Sequence, residues 1–373
     1  MSESSATGPA GAVLDGPRPI TDYEELTDAE LDRRIGEAKA RLGARVTILG
    51  HHYQRDEVVR YADFLGDSYR LSQRGSESVA DFIVFCGVHF MAESADILAK
   101  PDQRVILPDL GAGCSMADMA EIDSVEEAWE ELVRAYGDTI VPITYMNSTA
   151  AIKAFVGRNG GLVCTSSNAR AAFEWAYRKK PRILFLPDEH LGRNTGADLG
   201  IALDRMGLWD PRVDPRAALA ALPQDPPLVL WRGHCSVHQR FTPEQVAFLR
   251  KEIPGIKIIV HPECKHETCR VADFVGSTDF IIRTITAASP GTKWAVGTEI
   301  HLVNRLAQQM PDKLVISLQR NVCACATMYR IDPVHLCWAL ENLVQGHVVN
   351  EIRVDDETIR WARVALERML EVK

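Results

Sequence analysis

Apolar positions recur at helical spacing near the start of the chain. In residues 22–43 (DYEELTDAELDRRIGEAKARLG), Leu26, Leu31, Ile35, Ala38 and Leu42 share one face. Thr27 with Glu30 forms a capping-box pattern, and Gly43 is placed to end the helix. Beyond it, short apolar runs alternate with helical stretches to the end of the chain, which predicts α/β architecture. One run, Leu228 to Trp231 in LVLWRGHCSVHQRF, reads as a buried strand broken by Gly233. Cys235 and His238 then fall on the turn after the strand, the edge at which open α/β sheets keep their sites.

The same arrangement recurs. VTILG ends in His51-His52-Tyr53 and leads through a helix to Gly66-Asp67-Ser68. TIVPITYMNS ends at Tyr145 and Asn147 and leads to Cys164-Thr165-Ser166-Ser167-Asn168. IKIIVHPEC ends at His261 and Glu263 and leads to Gly276-Ser277-Thr278. His51 to Ser68 and His261 to Thr278 are both 17 residues apart. Each unit continues with a second strand and then a third that ends in a cysteine: Cys114, Cys235, and Cys323 or Cys325. A repeat of this kind is one structural unit used several times. It predicts three similar α/β/α sandwich domains with pseudo-threefold symmetry around a central site. The expected division is a disordered tail over 1–20, a first unit over 21–113 completed by C-terminal helices at 326–373, a second over 114–234 and a third over 235–325. The second unit is longer because residues 196–226 carry an insertion. The prolines of the insertion and its exit, Pro211, Pro215, Pro223, Pro226 and Pro227, predict an outer loop with one short helix near 215–222, packed away from the centre.

Composition narrows the chemistry. At 373 residues, 46% hydrophobic and 25% charged, the chain is of ordinary globular make-up. It has no run of about 18 apolar residues and no signal-peptide pattern, so a cytoplasmic protein without membrane contact is expected. A net charge of −9 argues against a nucleic-acid partner and means that an anionic substrate needs a local positive site. Nine cysteines in a reducing compartment are available for metal or catalysis rather than disulfides. Three thiolates brought to one point repel unless they hold a cation. Zinc takes a fourth ligand, for which His238 is available. A [4Fe–4S] cluster held by three cysteines leaves one iron open as a Lewis acid. The serines, threonine, asparagine and tyrosines on the β–α turns suit anion binding and favour the cluster.

The motifs GHHYQ, GDSYRLS, CGVHFMAESADIL, LPDLGAGCSMAD, YMNSTAAIKA, CTSSNA, PDEHLGRNTG, GHCSVHQRF, HPEC, DFVGST and WAVGTEIHLVNRL, in this order over about residues 40–345, resemble those of the quinolinate synthase (quinolinate synthetase A protein) family. The resemblance implies three α/β domains around a [4Fe–4S] cluster held by three cysteines. It also implies an iron–sulfur-dependent transferase of de novo NAD biosynthesis, which joins iminoaspartate to dihydroxyacetone phosphate and forms quinolinate with loss of phosphate and water. An L-aspartate oxidase or dehydrogenase is then a candidate supplier of iminoaspartate. By motif, the ligands are Cys114, Cys235 and Cys325, the last through Cys325-Ala-Thr-Met328. Ala326-Thr327 departs there from the more usual Pro-Asn pair, and Cys323 stands close by as a competitor. The resemblance places His51, Tyr53, Ser68, Tyr145, Asn147, Ser166, His238, His261, Glu263 and Thr278 at the active site. Proton abstraction beside a carbonyl suits a carboxylate, which makes Glu263 the expected base. His261 is suited to moving the oxygen proton, Tyr145 and His238 to acid steps, and the hydroxyls, Asn147, His51 and Tyr53 to holding substrate.

Other candidates read as structural. Cys86, Cys164 and Cys337 lie in apolar patterns. Cys264 and Cys269 have no counterparts in the other units. His52, His89, His234, His266, His335 and His347 are expected outside the chemistry. His190 and His301 follow second strands and are within possible reach of the site.

Overall fold

The computed structural model describes residues 16–319 and 324–372. Cys323 and most of the expected tail lie outside them. Residues within the last part of the expected tail make defined contacts. The Arg18 amide donates to Asn342 Oδ1 at 2.8 Å, and Trp338 Nε1 donates to the Arg18 carbonyl at 2.6 Å. The first long helix runs Asp28–Leu42, capped by Thr27 Oγ1 and closed by Gly43 at φ 54°. Its buried residues are Leu31, Ile35, Ala38 and Leu42, the face read from the sequence.

The strands, in order, are β1 (Val46–His51), β2 (Phe64–Gly66), β3 (Phe82–Cys86), β4 (Arg104–Ile106), β5 (Ile140–Tyr145), β6 (Leu162–Cys164), β7 (Arg182–Leu186), β8 (Met206–Trp209), β9 (Leu228–Trp231), β10 (Lys257–Val260), β11 (Phe274–Val275), β12 (Lys293–Gly297), β13 (Leu314–Ser317) and β14 (Glu351–Ile352). They form three sheets, ordered β14-β4-β3-β1-β2, β6-β5-β7-β9-β8 and β11-β10-β12-β13. All pairings are parallel except β14 with β4. Helices cover the faces, so the inner strands are mostly apolar rather than alternating. Every residue of β5 and of β9 is buried. The fold is therefore α/β, as expected.

Each sheet places its first strand between its second and its third, which puts a topological switch point beside β1, β5 and β10. Two of these units repeat in atomic detail. Asp63 accepts from the Ile48 amide at 2.8 Å, and Asp273 accepts from the Ile258 amide at 2.7 Å.

The insertion is not simply an outer loop. The short helix Pro215–Ala220 forms where expected, but Met206–Trp209 becomes β8, which pairs in parallel with β9 and buries Trp209. The proline-rich composition hid a four-residue strand whose Met206, Leu208 and Trp209 side chains extend the core. At the C-terminus, helix Pro333–Val344 packs on Asp28–Leu42 and β14 extends the first sheet. Helix Asp356–Glu371, in contrast, lies chiefly on Ala150–Arg158 and β6 of the second sheet.

Candidate active site

The three switch points supply matching turns. His51 ends β1, and its Nδ1 accepts from the Tyr53 amide at 3.1 Å. His261 follows β10, and its Nδ1 accepts from the Glu263 amide at 3.3 Å. Each imidazole is thereby oriented by its own turn, with Nε2 free to carry the proton. Tyr145 ends β5, with Asn147 two residues on.

Hydroxyls arrive at helix starts. Ser68 opens helix Ser68–Glu77, capped by Asp67, and Thr278 opens helix Thr278–Ala287, capped by Ser277. Ser166 sits in the turn before helix Ala169–Tyr177, where Asn168 Oδ1 accepts from the Thr165 amide at 2.8 Å. Unpaired amides and the positive end of the peptide dipoles gather at such starts and attract anions.

The cysteines also share one local structure. The carbonyls of Cys114, Cys235 and Cys325 accept from the amides of Asp118, Gln239 and Tyr329, at 3.1, 3.2 and 3.0 Å. A 3-10 helix begins three residues after each, at Ala117, His238 and Met328. Among the described cysteines these three are partly exposed, while Cys86, Cys164, Cys264, Cys269 and Cys337 are buried. Cys323 lies outside the described residues.

All thirteen residues singled out from the sequence line one cavity, with about 700 Å³ of empty space including its mouth. They are Cys114, Cys235, Cys325, His51, Tyr53, Ser68, Tyr145, Asn147, Ser166, His238, His261, Glu263 and Thr278. A hydrogen-bonded chain crosses it from sheet to sheet. Tyr53 Oη meets Thr278 Oγ1 at 2.9 Å and Thr298 Oγ1 at 2.8 Å, and Thr298 Oγ1 meets His238 Nε2 at 3.1 Å. His238 Nδ1 meets Glu263 Oε2 at 2.8 Å, and Tyr145 Oη donates to Glu263 Oε1 at 2.5 Å. His261 stacks on His238 with ring centres 4.6 Å apart and reaches Ser166 Oγ at 3.2 Å. Asn147 Oδ1 is buried with no hydrogen-bond partner, a polar atom left for a ligand.

Burial sets most protonation states. It drives both His51 and His261 down to about 3, so they are neutral near pH 7. Burial and the Glu263 charge hold the Tyr145 hydroxyl well above its usual value, and so protonated. Burial alone lifts the Glu263 carboxyl. The neighbouring His238 and His261, with hydrogen bonds from His238 and Tyr145, outweigh it and bring the group below its usual value. Glu263 is therefore a carboxylate near neutral pH, able to accept a proton.

Three residues went unnoticed in the sequence. Thr298 links Tyr53 to His238. Glu299 lines the cavity and accepts from the Cys325 amide at 3.4 Å, and burial raises its carboxyl to about 7. Asp188 is fully buried and is pushed up by burial and by the Glu263 charge. Val88, Asp188 and Glu299 each stand two residues past β3, β7 and β12, at the start of the following helix, which Asp188 and Glu299 cap through their carboxylates and Val88 does not. The repeat spacing was the signal for them. Of the histidines, His190 and His301 are outside the lining, as are His52, His89, His234, His266, His335 and His347.

The cavity suits a cluster. Burial pushes the Cys114 thiol up to about 12, reinforced by the field of Cys325, and holds Cys235 well above its usual value, so a cation is needed to draw off these protons. Backbone amides of Met116 and Ala117, and of Val237 and His238, donate to the two sulfurs. Among the described residues, Cys235, His238 and Glu263 lie within 4.8 Å of one another, a spacing for a single ion, but such an ion leaves Cys114 and Cys325 unused.

The comparisons agree with the motifs. Residues 33–371 match the family model described as quinolinate synthetase A protein. The chain is 58% identical to the quinolinate synthase of Acidobacterium capsulatum over 94% of this chain and 95% of that one. For the quinolinate synthase of Herpetosiphon aurantiacus the identity is 55%, with the same coverages. For that of Corynebacterium glutamicum it is 54%, over 94% of this chain and 90% of that one. Among solved structures, E-1-hydroxy-2-methyl-but-2-enyl-4-diphosphate reductase from Plasmodium falciparum aligns at 11% identity over 77% of this chain and 78% of that one, with a TM-score of 0.26, too low to bear on the fold. On the family match and these identities, the chain belongs to the quinolinate synthetase A protein family.

Proposed function

We propose that the chain is a quinolinate synthase of NAD biosynthesis, joining iminoaspartate to dihydroxyacetone phosphate with loss of phosphate and water. The observation that carries this reading is the convergence of three identically turned cysteines on the cavity that holds the Tyr145–Glu263–His238 network. Cys114, Cys235 and Cys325 hold a [4Fe–4S] cluster, which supplies an open iron as Lewis acid toward a hydroxyl or carboxylate oxygen.

The chain's own groups divide the remaining work. Glu263 is ionised and takes a proton from carbon beside the substrate carbonyl. His238, whose Nδ1 donates to Glu263 Oε2 at 2.8 Å, holds that carboxylate in place and is a second proton donor for the acid steps. Tyr145, held protonated against Glu263, donates to a departing oxygen. His261 Nε2, beside Ser166, serves the adjacent oxygen proton. The helix starts at Ser68 and Thr278, with Ser166, Asn147, His51 and Tyr53, take the carboxylates and phosphate. Val88, Phe90, Met91, Met116, Val237 and Met328 line the rest of the cavity and limit water. Iminoaspartate is supplied by a separate aspartate-oxidising enzyme.

The test is anaerobic purification with iron and sulfide analysis, followed by assay of quinolinate from iminoaspartate and dihydroxyacetone phosphate. About four irons with matching sulfide per chain are expected. One zinc per chain without sulfide overturns the reading. Hydration or dehydration of simple hydroxy acids in place of quinolinate formation would reassign the chain to another cluster-dependent hydro-lyase.

A further inference from the structure

Among the described residues neither lysine nor arginine lines the cavity, although three cysteines, Asp67, Glu263 and Glu299 do. Among the described residues, two basic side chains are buried. Arg305 is neutralised by Asp56, 2.6 Å away, and spends its other donors on the His52 and Gln54 carbonyls. Lys153 is completely buried and has no carboxylate within ion-pair distance among the described residues. Its ammonium donates to the Ser148 carbonyl and lies 5.4 Å from the centre of the Phe90 ring. Phe90 itself forms part of the cavity wall. Glu93 and Cys114 are the anionic groups whose fields reach the ammonium. Glu93 is already engaged by the Ala150 amide at 3.0 Å.

A buried cation with one neutral acceptor and an aromatic face is poorly compensated as it stands. Anionic charge on the far side of Phe90 would complete its compensation. Resting on the cluster reading above, we infer that Lys153 is the buried counter-cation of the cavity, offsetting the negative charge of the cluster and its thiolates through the Phe90 wall. Bracing of the Ser148 carbonyl is a second, local duty of the same side chain. Lys153 does not touch the reacting atoms; it sets the potential in which they sit.

A charge behind a cluster changes the free energy of adding an electron to it, whereas a packing role does not. The experiment is a dye-mediated redox titration of the anaerobic holoenzyme, followed by electron paramagnetic resonance. Lys153→Met keeps the length and apolar stem of the side chain and removes the charge. The cluster potential should then move to more negative values, because the reduced, more negative cluster loses its counter-ion. Glu93→Gln removes the opposing anion with little change of shape, and should move the potential the other way. Opposite shifts support the inference, and coincident potentials for both variants and the parent overturn it. If Lys153→Met folds without retaining a cluster, the Glu93→Gln shift decides alone: a positive shift supports, no shift overturns. A parent protein with zinc and no sulfide would instead remove the cluster reading itself, a distinct result seen before any variant is made.

Discussion

Glu263 takes hydrogen bonds from Tyr145 and His238 and sits against His261, so one carboxylate organises three proton-handling groups. Glu263→Gln keeps the shape and removes the charge. We expect normal cluster absorbance and unfolding temperature, with quinolinate formation reduced by about 10²–10⁴-fold, the usual range for a positioned base. Near-parental turnover would remove Glu263 from the mechanism. Serine at Cys114, Cys235 or Cys325 should cost iron and sulfide as well as activity, while Cys323→Ser should retain both; the reverse result at 323 and 325 would redraw the third ligand. The shared turn of the three cysteines was legible only as a spacing, and burial then separates them from the five buried thiols. Thr298 was not legible at all, because a threonine beside a glycine after a strand carries no signal until Tyr53 and His238 are seen to meet on it.

The elements that carry these groups are held by contacts distant in sequence. A Cβ added at Gly157 would stand 2.0 Å from the Trp361 carbonyl oxygen, because helix Asp356–Glu371 lies directly on Ala150–Arg158. Gly157→Ala should therefore lower stability by about 1–3 kcal/mol, the usual cost of overpacking, measured by denaturant unfolding. Tyr23, just ahead of the first helix, and Arg34 within it bind Glu341 of Pro333–Val344, with Tyr23 Oη at 2.9 Å and Arg34 Nε at 2.8 Å. Burial tends to raise the Glu341 carboxyl, but the bonds from Arg34 and Tyr23 and the charges of Arg34 and Arg18 bring it below its usual value. A carboxyl lowered on folding stabilises above its unfolded pKa, and that share is lost as the pH falls below about 4.5 toward the folded value. The difference in unfolding temperature between the parent and Glu341→Gln should thus be full near neutrality and close in acid. A constant difference would show that the ion pair contributes nothing titratable. Helix periodicity and the Thr27 cap were readable locally. Which helix the C-terminus would cover was not, since any amphipathic face satisfies the pattern.

At the scale of the molecule, the repeat offsets were enough to bring the central residues of three sheets to one cavity. The insertion escaped the same reasoning because β8 has four residues and lies among prolines. Removing residues 203–226 would leave β9 as an unprotected edge just before Cys235. We expect such a deletion to lower the unfolding temperature and the iron content together; retention of both would show that β8 is dispensable. The lack of lysine and arginine among the described residues of the cavity wall also reaches into solution kinetics. The described residues of the cavity offer an anion peptide dipoles and neutral donors, with Lys153 outside the lining and 5.4 Å from the Phe90 ring centre, while the protein as a whole carries −9. Approach of a doubly charged substrate is then opposed over the distances that salt screens. Capture should therefore quicken as ionic strength rises, the reverse of an enzyme that draws its anions in along a ring of arginines.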